Sequence, residues 1–283
     1  MIRLALRVRR EDAEVALAEL LELAPSGVEE REIEGGAVIE YAVYGAPGEL
    51  PALPDLKAAA GGALVEVVTE EIADDWHERW KAFHRPVDVP AGVRGGPGLR
   101  VRPPWEPETG AGDPPVLDLV IDPAQAFGTG AHHTTRLCLE LLLDLEPGGA
   151  CVDVGCGSGV LAIAAARLGW DPVLGVDHEA ESVTATRDNA RENGVVVEAR
   201  GFDLLHDGPA PGAPTVLANL LRPLLLTVAQ TGFVDGEVPR ALIASGLLAE
   251  EADEVAAAFA GTMGLRETSR RHGGEWAALL LQR

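Results

Sequence analysis

The run Cys151-Val152-Asp153-Val154-Gly155-Cys156-Gly157-Ser158-Gly159-Val160-Leu161-Ala162-Ile163 leaves a chain few ways to fold. Its first residues read as a buried strand and its last as the start of an apolar helix. Three alternate glycines join them. A turn this tight needs residues that accept positive φ and let a ligand come close to the backbone, which glycine provides.

The C-terminal half of the chain fixes the architecture. From Ala150 onward, runs rich in β-branched and apolar residues alternate with helical ones, the strands being 150–154, 173–177, 195–199, 215–219 and 241–245. That alternation predicts a parallel sheet with helices on both faces, an α/β fold of Rossmann-like type. Residues 265–271 and 275–281 flank Gly273-Gly274 and predict an antiparallel hairpin at the end of the sheet.

Asp177 stands 22 positions after Gly155, at the end of the second strand. A carboxylate there can accept hydrogen bonds from both hydroxyls of a ribose, which implies a nucleoside; a helix-capping Asp would occupy the same place. Nicotinamide and adenosylmethionine proteins share this scaffold, and the glycines discriminate between them. They are spaced GxGxG, not GxGxxG, and Asp153 just before the turn suits a cationic amino acid and repels a pyrophosphate. Gly155, Gly157, Asp153 and Asp177 are therefore candidate contacts to S-adenosylmethionine.

Asn219 ends the fourth strand, at the carboxyl edge where such sheets bind ligands. Its carboxamide can accept an N–H from an amine and aim the lone pair at a methyl group; capping the next helix is the structural alternative. The segment Asp122 to Thr135 precedes a helix expected near Arg136 and includes Phe127, Gly128, Thr129 and Gly130, a glycine-rich loop suited to closing on a ligand. Thr134 can cap that helix, bond the ligand, or do both. His132 and His133 have no carboxylate or cysteine at ligand spacing, so no metal is expected.

The 283 residues suggest two domains. Ile2, Leu4, Leu6 and Val8 alternate as a strand; a helix over 11–24, strands over 28–33 and 37–44, a helix over 50–60 and a strand over 63–69 complete a small α+β domain, residues 1–70. Trp76, Trp80 and Phe83 would share one face of a connecting helix, 71–86, ahead of the catalytic domain, 87–283. Residues 92–112, dense in glycine and proline, are expected as loops and short strands.

A formal charge of −22 repels a phosphate backbone and favours a basic partner, so direct nucleic-acid binding is not expected. Cys138, Cys151 and Cys156 form no CxxC pair, which fits a reducing cytoplasm and neither disulfides nor structural zinc. No signal peptide and no membrane span are expected. With no exposed heptad or long apolar edge, a monomer is expected.

These segments resemble the methyltransferase of large-subunit ribosomal protein eleven, the PrmA family. The likeness rests on Trp76, Trp80, Phe83 and Pro86; on Pro103-Pro104-Trp105; on Ala126 to Gly130 and His133-Thr134-Thr135; and on Asp153 to Ile163. It continues through Asp177, Arg187, Asn189-Ala190, Asn193, Ala218-Asn219 and Ser245-Gly246. The chain departs from the family pattern at Ala124, Glu179 and Leu220.

The resemblance implies a seven-stranded S-adenosylmethionine-dependent methyltransferase domain. It implies that Thr134, Gly155, Asp177 and Asn219 bind adenosylmethionine and that the loop from Phe127 to Gly130 folds over it. The substrate it implies is ribosomal protein eleven, methylated on lysine ε-amines and the N-terminal α-amine and recognised by the N-terminal domain. Direct in-line transfer to a neutral amine is the expected chemistry, without metal, covalent enzyme intermediate or evident general base. Two alternatives share these residues: methylation of another protein or nucleobase amine, and a non-enzymatic adenosylmethionine-binding factor in ribosome assembly. The acid excess weighs against a nucleobase, and the intact Asn219 and glycine turn weigh against a factor without catalysis.

Overall fold

The computed structural model describes residues 2–10, 13, 29–33, 37–45, 64–71, 84–108, 115–123, 130 and 132–283. Apart from Ala13, the helix expected over 11–24 lies outside the described residues, as do the helix expected over 50–60, the segment carrying Trp76, Trp80 and Phe83, and Phe127, Gly128 and Thr129. The chain divides into two compact units, Met1–Phe83 and His84–Arg283.

In the first unit, β1 (Ile2–Arg9), β2 (Glu29–Ile33), β3 (Val38–Gly45) and β4 (Leu64–Glu71) form one antiparallel sheet in the order β2-β3-β1-β4. Leu4, Leu6 and Val8 are buried as their alternation requires. Arg7, on the other face, bridges neighbouring strands by bonding Glu40 at 2.8 Å and Glu66 at 2.6 Å. β4 runs through Glu71, two residues past the strand expected over 63–69 and one past the domain boundary expected at 70, and residues 84–86, expected to be helical, are outside any helix.

The second unit opens with a three-stranded sheet, β5 (Val87–Val89), β6 (Gly98–Arg102) and β7 (Val116–Val120), of which only β6 falls within the segment 92–112 expected as loops and short strands. Then come α1 (His133–Leu143), β8 (Cys151–Val154), α2 (Val160–Leu168), β9 (Val173–Asp177), α3 (Ala180–Glu192) and β10 (Glu198–Gly201). The chain continues with β11 (Thr215–Asn219), α4 (Arg222–Thr231), β12 (Ala241–Leu248), α5 (Ala252–Met263), β13 (Arg266–Gly273) and β14 (Trp276–Gln282). Seven strands make one sheet in the order β10-β9-β8-β11-β12-β14-β13, parallel from β10 to β12 and antiparallel at β14 and β13.

The central strands are buried on both faces, which is why their sequences read as unbroken apolar runs rather than alternating ones. Leu217, Ile243 and Leu280 pack with α1, α2 and the small sheet, while Val216, Leu242 and Leu281 pack on the opposite side with α4 and α5. Strand order reverses between β8 and β11. At such a switch point the connections leave in opposite directions and open a crevice at the carboxyl ends of the two strands. No described helix is long and apolar enough to cross a membrane.

Boundaries also differ in the second unit, where β12 runs through Leu248, three residues past its expected end. The strand expected over 195–199 is Glu198–Gly201, because Val195 N donates to Ala190 O at 3.1 Å and so belongs to the turn that ends α3. Val196 is accordingly 86% exposed. The helix expected near Arg136 begins at His133, three residues earlier.

At Gly246 the edge of β12 bulges, with φ +84°, and an added Cβ would lie 2.5 Å from the Leu220 carbonyl oxygen. Gly264, the αL residue that ends α5, also has positive φ but open space around it. Gly246→Ala is expected to lower stability by roughly 2–4 kcal/mol, from backbone strain plus displacement of Leu220, against about 1 kcal/mol for Gly264→Ala. Urea unfolding of the two variants measures the difference, and equal losses would remove the role of the close approach.

Candidate functional site

β8 delivers the chain into the glycine turn, and the turn is pinned to the next strand. Gly155 N and Cys156 N both donate to Val176 O, at 2.8 and 3.0 Å. Gly157 N donates to Asp177 Oδ2 at 2.9 Å, and Glu179 N to Asp177 Oδ1 at 3.1 Å. Gly155, Gly157 and Gly159 all have positive φ, as the turn requires. A side chain at Gly155 would meet only the flexible end of Leu220, so it is the positive φ, +77°, that calls for glycine there.

Beside this turn, at the carboxyl ends of β8 and β9, lies a cleft of about 330 Å³, within the usual range of ligand pockets. Gly155, Gly157, Asp177, Ser182, Phe202 and Leu220 are among its lining residues. Asp203 lines it too. The Leu205 amide and the His206 ring hold that carboxyl below its ordinary range.

Asp153 is not among the lining residues. It lies under the turn, 1% exposed, where Oδ2 accepts from Ala162 N at 3.1 Å and stands in for the side-chain cap that Gly159 does not supply to α2. Its Oδ1 is buried with no hydrogen-bond partner among the described residues. Burial pushes its carboxyl up to about 7; the Ala162 amide opposes the rise and the charge of Asp177 adds to it. An orphaned acidic oxygen in that place is chemically suited to a cationic group.

Asn219 ends β11. Its Nδ2 donates to Thr135 Oγ1 at 3.4 Å, and its Oδ1 is buried without a partner among the described residues. It does not cap the next helix, whose N-cap is Leu221. Thr134 does not cap α1 either: His132 does, Nδ1 accepting from Thr134 N at 3.4 Å and pairing with Thr134 Oγ1 at 2.8 Å. Thr134 is thus a buried residue of the first turn of α1, and its carbonyl accepts from Ser245 Oγ at 3.4 Å. Gly130 is buried against Val101 of β6 with φ +82°.

Residues 120–122, which lead into the glycine-rich segment, are held by Asn189 of α3 and by Asn193, its C-cap. Asn193 bonds both Val120 N and Val120 O, at 2.8 and 2.7 Å. Asn189 accepts from Asp122 N at 3.1 Å and donates to Ser158 O at 2.9 Å, joining loop root and glycine turn. Arg187 donates to Ala199 O and ties α3 to β10. Spacing alone does not reveal these ties, although the three residues recur in the family resemblance. Among the described residues no group of three or more His, Cys, Asp or Glu converges as a metal site.

The model of the family described as ribosomal protein L11 methyltransferase (PrmA) matches residues 49–283. The "Ribosomal protein L11 methyltransferase" of Pseudomonas aeruginosa is 40% identical over 230 residues, 80% of this chain and 74% of that protein. The protein of the same name from Azotobacter vinelandii is 39% identical over 224 residues, 78% of this chain and 73% of its own length. Among solved structures, a ribosomal protein L11 methylase from Lactobacillus delbrueckii subsp. bulgaricus aligns with TM-score 0.56 and 29% identity, covering 65% of this chain and 94% of that one.

The raised Asp153 sets a dependence on pH. Its folded pKa lies above the unfolded value, so the stabilisation from holding the proton is complete below the ordinary aspartate range and lost as pH rises to about 7. Asp153→Asn keeps an acceptor for Ala162 and removes the buried charge. In urea unfolding the variant is expected to gain stability over the parent at about pH 8 and to lose most of that gain near about pH 5. A difference independent of pH would mean that the buried charge is not its cause.

Proposed function

The chain belongs to the ribosomal protein L11 methyltransferase (PrmA) family, and from that premise we propose that it transfers methyl groups from S-adenosylmethionine to lysine ε-amines and the N-terminal α-amine of ribosomal protein eleven. The observation that carries the reading is the Oδ1 of Asn219 at the carboxyl end of β11, buried without a partner among the described residues. Bound S-adenosylmethionine supplies a methyl group activated by sulfonium. All else the chain must provide.

In this reading the remaining lone pairs of Asp177 accept the ribose hydroxyls, since each oxygen has spent one on a backbone amide. Asp153, under the turn, compensates the ammonium of the amino-acid end, and Thr134 bonds the same end. Phe127, Gly128, Thr129 and Gly130 cover the ligand. The incoming amine gives an N–H to Asn219 Oδ1, which leaves its lone pair free and directed for in-line displacement.

Such an amine must first be neutral. A lysine of ordinary pKa ~10.4 costs about 4.6 kcal/mol to deprotonate at pH 7, and burial beside this apolar edge lowers that cost. Residues 1–70 would recognise the protein substrate. The charge of −22 favours approach of a basic ribosomal protein, and the work is assigned to the cytoplasm, where ribosomes are assembled.

Calorimetry with S-adenosylmethionine and S-adenosylhomocysteine, followed by mass spectrometry of ribosomal protein eleven incubated with the enzyme, tests the reading. Asp177→Ala is expected to weaken cofactor binding by at least about tenfold. Asn219→Ala is expected to lower turnover by about a hundredfold, well beyond any loss of cofactor affinity. Full turnover by Asn219→Ala would refute the amine-holding role, and no uptake of either compound would refute the whole proposal.

A further inference from the structure

A carboxamide has nearly the same shape when turned by half a rotation, so steric fit alone does not decide which end is oxygen. At Asn219 the two orientations have opposite chemistry. With oxygen toward the nucleophile, the group accepts an N–H and spares the lone pair. With nitrogen there, it donates into that lone pair and blocks attack. Something must fix the choice before the amine arrives.

The partner of Nδ2 is Thr135, 84 residues earlier in the chain, at 3.4 Å. Thr135 is 1% exposed and lies in the first turn of α1, which packs against β12 and β14. Its place does not depend on Asn219: Ser245 Oγ of β12 shares its one proton between Ala277 O at 2.9 Å and the neighbouring Thr134 carbonyl at 3.4 Å. In the structure the hydroxyl oxygen accepts from Nδ2, and the other end of the carboxamide, Oδ1, has no partner among the described residues.

We propose that Thr135 is a positioning residue, whose hydroxyl holds the Asn219 carboxamide with its oxygen free for the incoming amine. The inference rests on the amine-holding role of Asn219. In its absence the carboxamide would sample both orientations, and the wrong one would be favoured by the lone pair of the neutral nucleophile.

The test compares Thr135→Val, which keeps the shape and removes the oxygen, with Thr135→Ser, which keeps the hydroxyl, each in the parent and in the Asn219→Ala background. Turnover and KM for ribosomal protein eleven, cofactor affinity by calorimetry and the unfolding midpoint are measured for all. Thr135→Val is expected to lower kcat about five- to tenfold, the worth of one oriented hydrogen bond, with cofactor affinity nearly unchanged. Thr135→Ser should restore most of the rate, and in the Asn219→Ala background Thr135→Val should cost nothing further.

The proposal is overturned if Thr135→Val retains parental kcat, if Thr135→Ser is equally impaired, or if the loss is the same without the Asn219 carboxamide. Should Thr135→Val fail to fold, Thr135→Ala is judged by the same outcomes. If the parent binds cofactor yet methylates no ribosomal protein eleven, the functional reading fails and this inference with it. If the parent is active and the Thr135 variants match it, the positioning role alone fails.

Discussion

The hydrogen bond from Gly157 N to Asp177 Oδ2, at 2.9 Å, joins the turn after one strand to the end of the next. Together with the bonds from Gly155 and Cys156 to Val176 it makes the floor of the cleft a single piece of backbone. A turn of three glycines loses more conformational freedom on folding than any other sequence would, and left alone it would sample many shapes. Fastening it at three points, and capping the helix behind it with Asp153, removes that freedom before any ligand is present. The entropy of ordering the turn is then charged to folding and not to binding.

A second set of ties does the same for the opposite wall. Ser245 joins α1 to the edge of β12, Gly246 brings the Leu220 backbone close, and Leu220 N bonds Ser245 O at 2.9 Å. Asn219 is thereby fixed from its own strand, from the neighbouring strand and from α1. Asn189 and Asn193 hold the start of the glycine-rich loop against this frame. Rigid backbone thus surrounds residues 120–122, from which the glycine-rich sequence departs.

The elements legible in the sequence are those whose burial leaves a pattern. β9 and β11 have the bounds their apolar runs predict, because central parallel strands carry apolar residues on both faces. β10, at the edge, lies away from its predicted place because only Ala199 of its four residues is buried and the apolar Val195 and Val196 belong to the turn before it. The N-cap of α1 escapes sequence reading because His132 caps through a ring nitrogen, a residue type that carries little capping signal. Asp177 and Asn219 are legible from their places at strand ends. Thr135 as a partner of Asn219 is not, since a contact across 84 residues leaves no periodic trace.

Chain order and spatial order part company at the antiparallel end of the large sheet. β14 follows every other strand of that sheet in the sequence, yet it lies between β12 and β13, bonded on both sides, and supplies Leu279, Leu280 and Leu281 to both faces of the core. During synthesis, all the earlier strands leave the ribosome while the edge of β12 is still bare. That edge stays open to unwanted pairing until β14 emerges and slots in from the side. A product cut short before Trp276 would therefore keep an adhesive border in place of a finished domain.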